Sequence, residues 1–454
     1  ALNTQSRREF VIPALILEII LMRKQFTVTA LAAVIAATTV SQVMANGSET
    51  GPFGFSPIAE SADKANWNPD SPWVIPEGFS QAIVSDESDL NIYGNGHDDW
   101  NDMNTVNETG RMAGRYLYRT HEVRNHPEGG AVSVVDLKTG AASILTQELS
   151  YNALDGIRWT PWGTILFAEE TAGGRLFEIV LDDKDLTQGQ VYDRPAAGRL
   201  AHEGIEVGPE GEVYMVDEWR GLSSGCSIDG EAVAPCGGGI YKFVPEVAGD
   251  LSSGSLYVLG VYATPEGEYN TGQGEWLGPI DPLTARESGT LAGGASYQRP
   301  EDLEIIDNTL YVAVTEGPRD EEGDEYFEGR VLAIDLASLQ VSNFIKPGVN
   351  APIEMGKPGD EGFQTGMDSV DNLGTTPDGK LMIIEDNKPS DIWIADKDHD
   401  KDDMADNVWL FGSLSDPGAE GTGIYFGKDP KTLFVNIQHS AAEDGDATWA
   451  ITKD

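Results

Sequence analysis

Beyond residue 75 the apolar positions fall in short runs rather than at helical spacing. Examples are Ala131–Asp136 (AVSVVD), Thr164–Ala168 (TILFA), Glu212–Val216 (EVYMV), Ile240–Val244 (IYKFV), Thr309–Val314 (TLYVAV), Arg330–Asp335 (RVLAID), Lys380–Ile384 (KLMII), Asp391–Ala395 (DIWIA) and Thr432–Asn436 (TLFVN). Each is β-rich and bounded by turn residues, which predicts strands. No segment after Ala45 reads as a long amphipathic helix. Several runs follow a similar turn: Gly208-Pro209-Glu210-Gly211, Thr376-Pro377-Asp378-Gly379 and Lys428-Asp429-Pro430-Lys431. A turn-then-strand phrase that recurs with a following strand is the rhythm of propeller blades. The expected fold is all-β, a six-bladed β-propeller with long insertions, at roughly 65–70 residues per blade against the roughly 40–45 of a compact one. A pair of β-sandwiches is the alternative, and the recurring phrase favours the propeller.

Composition sharpens this picture. The chain of 454 residues carries 52 Gly and 24 Pro, enough for many turns. It holds 75 acidic against 30 basic side chains, a formal charge of −45. Such a balance excludes a nucleic-acid partner, which needs clustered Lys and Arg. It also speaks against docking on an anionic membrane. It favours solubility and attracts cations.

Met22 opens a signal-peptide pattern: Arg23-Lys24, an apolar stretch from Phe26 to Val40, then Val43-Met44-Ala45 as a small-residue cleavage site. The rival, a membrane anchor, needs a longer apolar stretch. Residues 1–45 are therefore expected to be an upstream extension plus a cleaved signal, and the protein to be periplasmic or secreted. Ser6-Arg7-Arg8-Glu9-Phe10-Val11 resembles a twin-arginine motif, but Glu18 interrupts the apolar stretch after it. Residues 46–75 lack a strand period and read as an extended arm; residues 76–454 form the propeller. Cys226 and Cys236 lie ten apart in a Gly-rich loop, which in an oxidising compartment favours a disulfide over a metal-thiolate pair.

The acidic residues gather where strands end. The clusters are His121-Glu122, Glu169-Glu170, His202-Glu203, Asp217-Glu218, Glu301-Asp302-Leu303-Glu304, Glu385-Asp386 and Glu420. In a propeller, strand ends converge at a channel mouth, where carboxylates repel unless they share cations. Each cluster alone reads equally as a solvated turn; together at equivalent strand ends they suggest a site. A donor set rich in oxygen and poor in His suits Ca²⁺, Mg²⁺ or Fe³⁺. Arg158, Arg220, Arg299 and Lys388 near the clusters would hold an anionic substrate or pair with the acids. A separate loop presents Asp396, Asp398, Asp400 and Asp402, which starts like a calcium loop but has Lys401 where the usual Gly stands. No P-loop, GxSxG or Ser-His-Asp element is present.

These phrases, in this order, resemble the PhoX-type alkaline phosphatases. The carriers are TPWGTILFAEE (Thr160–Glu170), His202-Glu203 before a Pro-x-Gly strand, GGIYKFVP (Gly238–Pro245), RPEDLE (Arg299–Glu304), and GAEGTG (Gly418–Gly423) with KTLFVNIQH (Lys431–His439). The resemblance runs from about Gly114 to the C-terminus. It implies a secreted β-propeller that hydrolyses phosphate esters with calcium and iron at the channel mouth. It implies metal ligands at Glu170, Glu203, Glu301 and Glu420, with Glu122, Asp302, Glu304 and Glu385 as weaker candidates. Catalytic roles fall to Glu301, Glu203 and Arg299. The family's cysteine ahead of Thr160 is absent; Asp155 stands near its place, so calcium is better supported than iron. A small phosphate ester is the expected partner, and the protein is expected to be monomeric. A calcium-stabilised binding propeller and a lactonase-like hydrolase are the rival functions.

Overall fold

A computed structural model describes residues 53–90, 92, 99–221, 226–228, 231–233, 236–263, 270–316 and 329–454. The signal-peptide and twin-arginine patterns lie outside the described residues.

Every apolar run named above is a strand, and the strands form antiparallel meanders. The first meander is Asn101–Val106, Tyr116–His121, Ala131–Asp136 and Ala141–Gln147. The second is Leu154–Trp159, Ile165–Glu169, Gly174–Asp182 and Asp185–Asp193. A nine-stranded sheet follows, in which Ile205–Val207, Val213–Val216, Ile240–Val247 and Asp250–Ala263 make one meander. Gln298–Ile306, Thr309–Glu316, Arg330–Asp335 and Gln340–Ile345 make another, and strand Gly272–Ile280 joins the two edges. Val370–Thr375, Leu381–Glu385, Asp391–Ala395 and Val408–Leu414 come next. The last meander takes Glu420–Phe426, Thr432–Gln438 and Ala447–Lys453 from the C-terminal part and Phe79–Asp86 from the N-terminal part.

The first strand of each meander touches the first strand of the next, and Glu420–Phe426 returns to Asn101–Val106. These strands therefore ring a common axis in an all-β, propeller-like arrangement. The core lies in layers between neighbouring meanders. One layer joins Tyr118 and Val134 to Phe167 and Ile179, and another joins Met382 and Ile394 to Val435 and Ile451.

The recurrent turn has a common geometry. Gly163, Gly211 and Gly379 have φ of 86°, 86° and 78°, and each amide donates three residues back, to Thr160, Gly208 and Thr376. This is a hairpin turn closed by a left-handed residue, which needs Gly at that one position.

Residues 53–75 lie along the body. Phe53 and Phe55 are buried against Phe411 and Trp409, and Trp73–Val74 pairs with the edge strand Val408–Leu414. One short helix, α1 (Ala285–Ala292), ends at left-handed Gly293. No helix among the described residues is long and apolar enough to cross a membrane. Cys236 is buried and disulfide-bonded.

Candidate metal centre

The first strands carry carboxylates at or beside their start: Asp102, Asp155, Glu203, Glu301, Asp371 and Glu420. Neighbouring first strands approach so closely that a side chain after the acid would collide. A Cβ on Gly204 would lie 2.5 Å from Asp302 Oδ1.

Two groups of carboxylates form around one residue. Oxygens of Glu170, Glu203 and Glu218 lie within 4.8 Å of one another, and so do oxygens of Glu203, Glu301 and Asp371. Glu170 and Glu218 stand just past the second strands of their meanders, while Glu203, Glu301 and Asp371 belong to the first strands or their entry. Glu203 is common to both groups.

Guanidinium groups partly neutralise this charge. Arg299 pairs with Glu218, with Glu301 Oε1 at 3.0 Å and with Asp386 at 3.6 Å. Its φ of 52° is left-handed, a strain of about 1–3 kcal/mol that its surroundings must hold. Arg124 pairs with both Glu122 and Glu170.

Two arginines do not balance so many acids. Burial, then the charge of Glu301, pushes the Glu203 carboxyl well up. Asp371 and Glu170 also rise, first from burial and then from Glu301 and Glu122 respectively. Burial pushes Glu301 to about 7, with Arg299 pulling it back. Glu420 reaches about 10 through burial and Asp386. Asp102 rises to about 8 through burial and the charge of Glu122, and Asp155 rises well up through burial and the charge of Asp102.

The donor set fits hard cations. Glu301 Oε2 and Asp155 Oδ1 are buried without a hydrogen-bond partner among the described residues. A buried carboxylate oxygen left unmatched is costly, and a cation is the natural match. The three-carboxylate groups contain oxygen donors alone, which suits Ca²⁺, Mg²⁺ or Fe³⁺ better than softer ions.

Several expected ligands are committed elsewhere. Asp302 accepts from the Leu303 and Leu373 amides at 2.7 and 2.8 Å, so it staples two first strands. Glu304 accepts from Thr375 Oγ1 at 2.6 Å and pairs with Arg158 at 3.1 Å; Arg158 also pairs with Glu206. Glu385 accepts from Trp393 Nε1 at 2.8 Å and the Asp368 amide at 2.9 Å, inside its own meander. Glu122 is held by Arg124, and Gln438 donates to it at 3.3 Å. Glu420 lies 3.7 Å from His439. Lys388 is exposed and makes no ion pair with these acids. In the acidic loop, Asp398 and Asp400 gather with Asp406; Asp396 lies 3.8 Å from Lys380, and Asp402 accepts from the Met404 amide.

Glu218 and Asp371 complete the two groups, and Asp371 was absent from the sequence candidates. A signal for it exists. Asp155, Glu203 and Asp371 each stand six residues before the Pro of a Thr-Pro-x-Gly or Gly-Pro-x-Gly turn, at Pro161, Pro209 and Pro377. That spacing spans one first strand and fixes the acid at its entry.

Residues 174–441 match the family described as alkaline phosphatase PhoX. Among solved structures, Pseudomonas fluorescens PhoX in complex with vanadate, a transition-state analogue, aligns with a TM-score of 0.62 at 18% identity, covering 89% of this chain and 98% of that one. A gluconolactonase from Xanthomonas campestris aligns at 0.44 with 14% identity, covering 88% and 98%. The aldose sugar dehydrogenase of Streptomyces coelicolor aligns at 0.44 with 15% identity, covering 84% and 99%. No curated protein matches the sequence. The chain belongs to the PhoX alkaline phosphatase family, phosphatase-type hydrolases, here on an all-β propeller-like fold.

Proposed function

We propose that the protein hydrolyses phosphate monoesters outside the cytoplasm, at a multi-cation cluster centred on Glu203. The observation that carries this reading is the sharing of Glu203 between two three-carboxylate groups, a layout suited to neighbouring cations. Glu170, Glu218, Glu301 and Asp371 complete the donor set, with Asp155 and Glu420 beside it. Ca²⁺ is the better supported ion, since the donors are hard oxygens; Fe³⁺ rests on Asp155 in the place of a cysteine. Bound cations supply Lewis-acid polarisation of the phosphoryl oxygens and acidify water. Arg299 offers a fixed charge to the phosphoryl oxygens from between Glu301 and Glu218. Its strained backbone and carboxylate partners hold the guanidinium in place before substrate arrives.

Counting the nine-stranded sheet as two meanders makes the fold six-bladed. We take residues 1–45 as leader, residues 46–75 as arm, and the mature chain as a monomer. The group Asp398, Asp400 and Asp406 is a separate structural place for Ca²⁺.

The test is metal analysis of the purified protein together with hydrolysis of p-nitrophenyl phosphate, a matched phosphodiester and a lactone. Monoester turnover that requires the bound cations is expected. A fully metallated protein that cleaves only the lactone, or nothing, overturns the reading in favour of a lactonase or a binding propeller.

A further inference from the structure

A second basic locus is built partly from residues that neighbour the mouth in sequence. A cavity of about 230 Å³ is lined by Lys64, Lys357 and Lys388, with Pro389, Ser415 and Asp416 among its other walls. These lysines come from separate stretches: the N-terminal arm, the loop before strand Val370–Thr375, and the turn after Leu381–Glu385. In a chain with 30 basic residues against 75 acidic ones, three lysines on the wall of one cavity stand out. Among the described residues, none of these ammonium groups has an ion-pair or hydrogen-bond partner. The mouth arginines Arg124 and Arg299, by contrast, are all paired. The carboxylate on the wall is already engaged: Asp416 accepts from the Gly418 amide, Ser440 Oγ and the Ala441 amide.

The scaffold around the lysines is fixed. Ser61 Oγ donates to Asp391 at 2.6 Å and the Ala62 amide donates to Ser413 Oγ at 2.7 Å, which pins the arm just ahead of Lys64. Lys357 and Lys388 each precede a proline, which restricts their backbone to extended forms. Ammonium groups along one cavity wall attract an anion bound there.

The cavity also connects to the mouth along the chain. Lys388 is two residues past Asp386, which faces Arg299, and Pro417 is three residues before Glu420. We propose that this cavity is a subsite for a second anionic group, phosphate or carboxylate, on the same molecule whose phosphate ester is hydrolysed at the mouth. The inference rests on the phosphatase reading and narrows its substrate class to polyanionic esters. Free inorganic phosphate has the same chemistry, and the experiment separates the two sources.

The experiment compares the metal-loaded wild type with the double variant Lys64→Gln/Lys357→Gln. The substrates are alkanediol bisphosphates of increasing chain length and the matched monophosphates. In the variant, KM for the best bisphosphate should rise about tenfold, worth about 1.4 kcal/mol, with kcat unchanged. KM for the monophosphate should stay within twofold, and inhibition by inorganic phosphate should be equal in both proteins. Equal KM values for the bisphosphate in both proteins overturn the proposal. Phosphate inhibition that weakens in the variant assigns the cavity to free phosphate and overturns the substrate subsite. If the wild type hydrolyses neither ester, the phosphatase reading fails first. Calorimetric titration with a bisphosphate then decides: one binding event fewer in the variant retains the cavity as an anion site, and equal stoichiometry removes it.

Discussion

A Cβ on Gly156 would lie 1.7 Å from the carbonyl oxygen of Glu203, so the second and third meanders meet at backbone contact beside the central carboxylate. Gly156→Ala must therefore push the two first strands apart. Overpacking of this kind costs about 1–3 kcal/mol or more. The variant should melt lower and bind cations more weakly, as read by calorimetry and metal analysis. An unchanged melting curve with full metal content would show that the strands part freely.

Glu203→Gln should be the most damaging single replacement at the mouth, because it removes a donor from two groups at once. Phosphomonoesterase activity should fall on the order of 10²–10³-fold, and bound metal should drop by more than in Glu301→Gln. Glu385→Gln should leave kcat/KM within a few fold, since that side chain is tied to Trp393 and the Asp368 amide. Steady-state kinetics on the variants separates these roles.

Removing the cations should reverse the pH dependence of stability. In the metal-free protein, burial raises Asp302 and Asp391 to about 7 and Asp102 to about 8, from an ordinary 3.8. A folded-state pKa above the unfolded one gives stability that is present below about pH 4 and lost as pH climbs through 7 to 8. The chelated protein should thus melt lower at pH 8 than at pH 5. The cation-loaded protein should gain stability over the same interval, because cations compete with fewer protons. Thermal scans with and without chelator check both signs.

Among the described residues, Arg158 is the cationic partner of both Glu206 and Glu304, and both carboxylates are buried. Arg158→Met leaves two buried carboxylates unmatched, a loss of about 3–5 kcal/mol in urea unfolding. Adding Glu206→Gln and Glu304→Gln should restore most of it. Failure of that rescue would mean that the guanidinium packs rather than pairs.

The strands were legible because each carries a run of β-formers bounded by turn residues, several of them preceded by a Pro-x-Gly turn, and such local signals survive into the fold. The ends of those strands were legible as acidic for the same reason. Which acids meet was harder to read. Asp302 and Glu301 are adjacent in sequence, yet one turns to the amides of Leu303 and Leu373 and the other to the mouth, as strand alternation requires. Glu385 ends its strand, whereas Glu170 stands just past its own, and the indole of Trp393 claims Glu385 from within the meander. Leu373 lies far from Asp302 in sequence, and the Trp393 contact depends on how the strands pair, so composition alone reveals neither. Asp371 was hidden by its neighbours, an unremarkable Asp-Asn pair, although its distance from Pro377 repeats that of Glu203 from Pro209.

The last meander borrows Phe79–Asp86 and pairs it with Ala447–Lys453. Synthesis makes the first of these strands long before the second. Until Ala447–Lys453 is made, Phe79–Asp86 has no strand partner in the last meander. A nascent chain held short of that strand would carry every acid of the cluster, yet lack the pairing that ties residues 79–86 into the last meander.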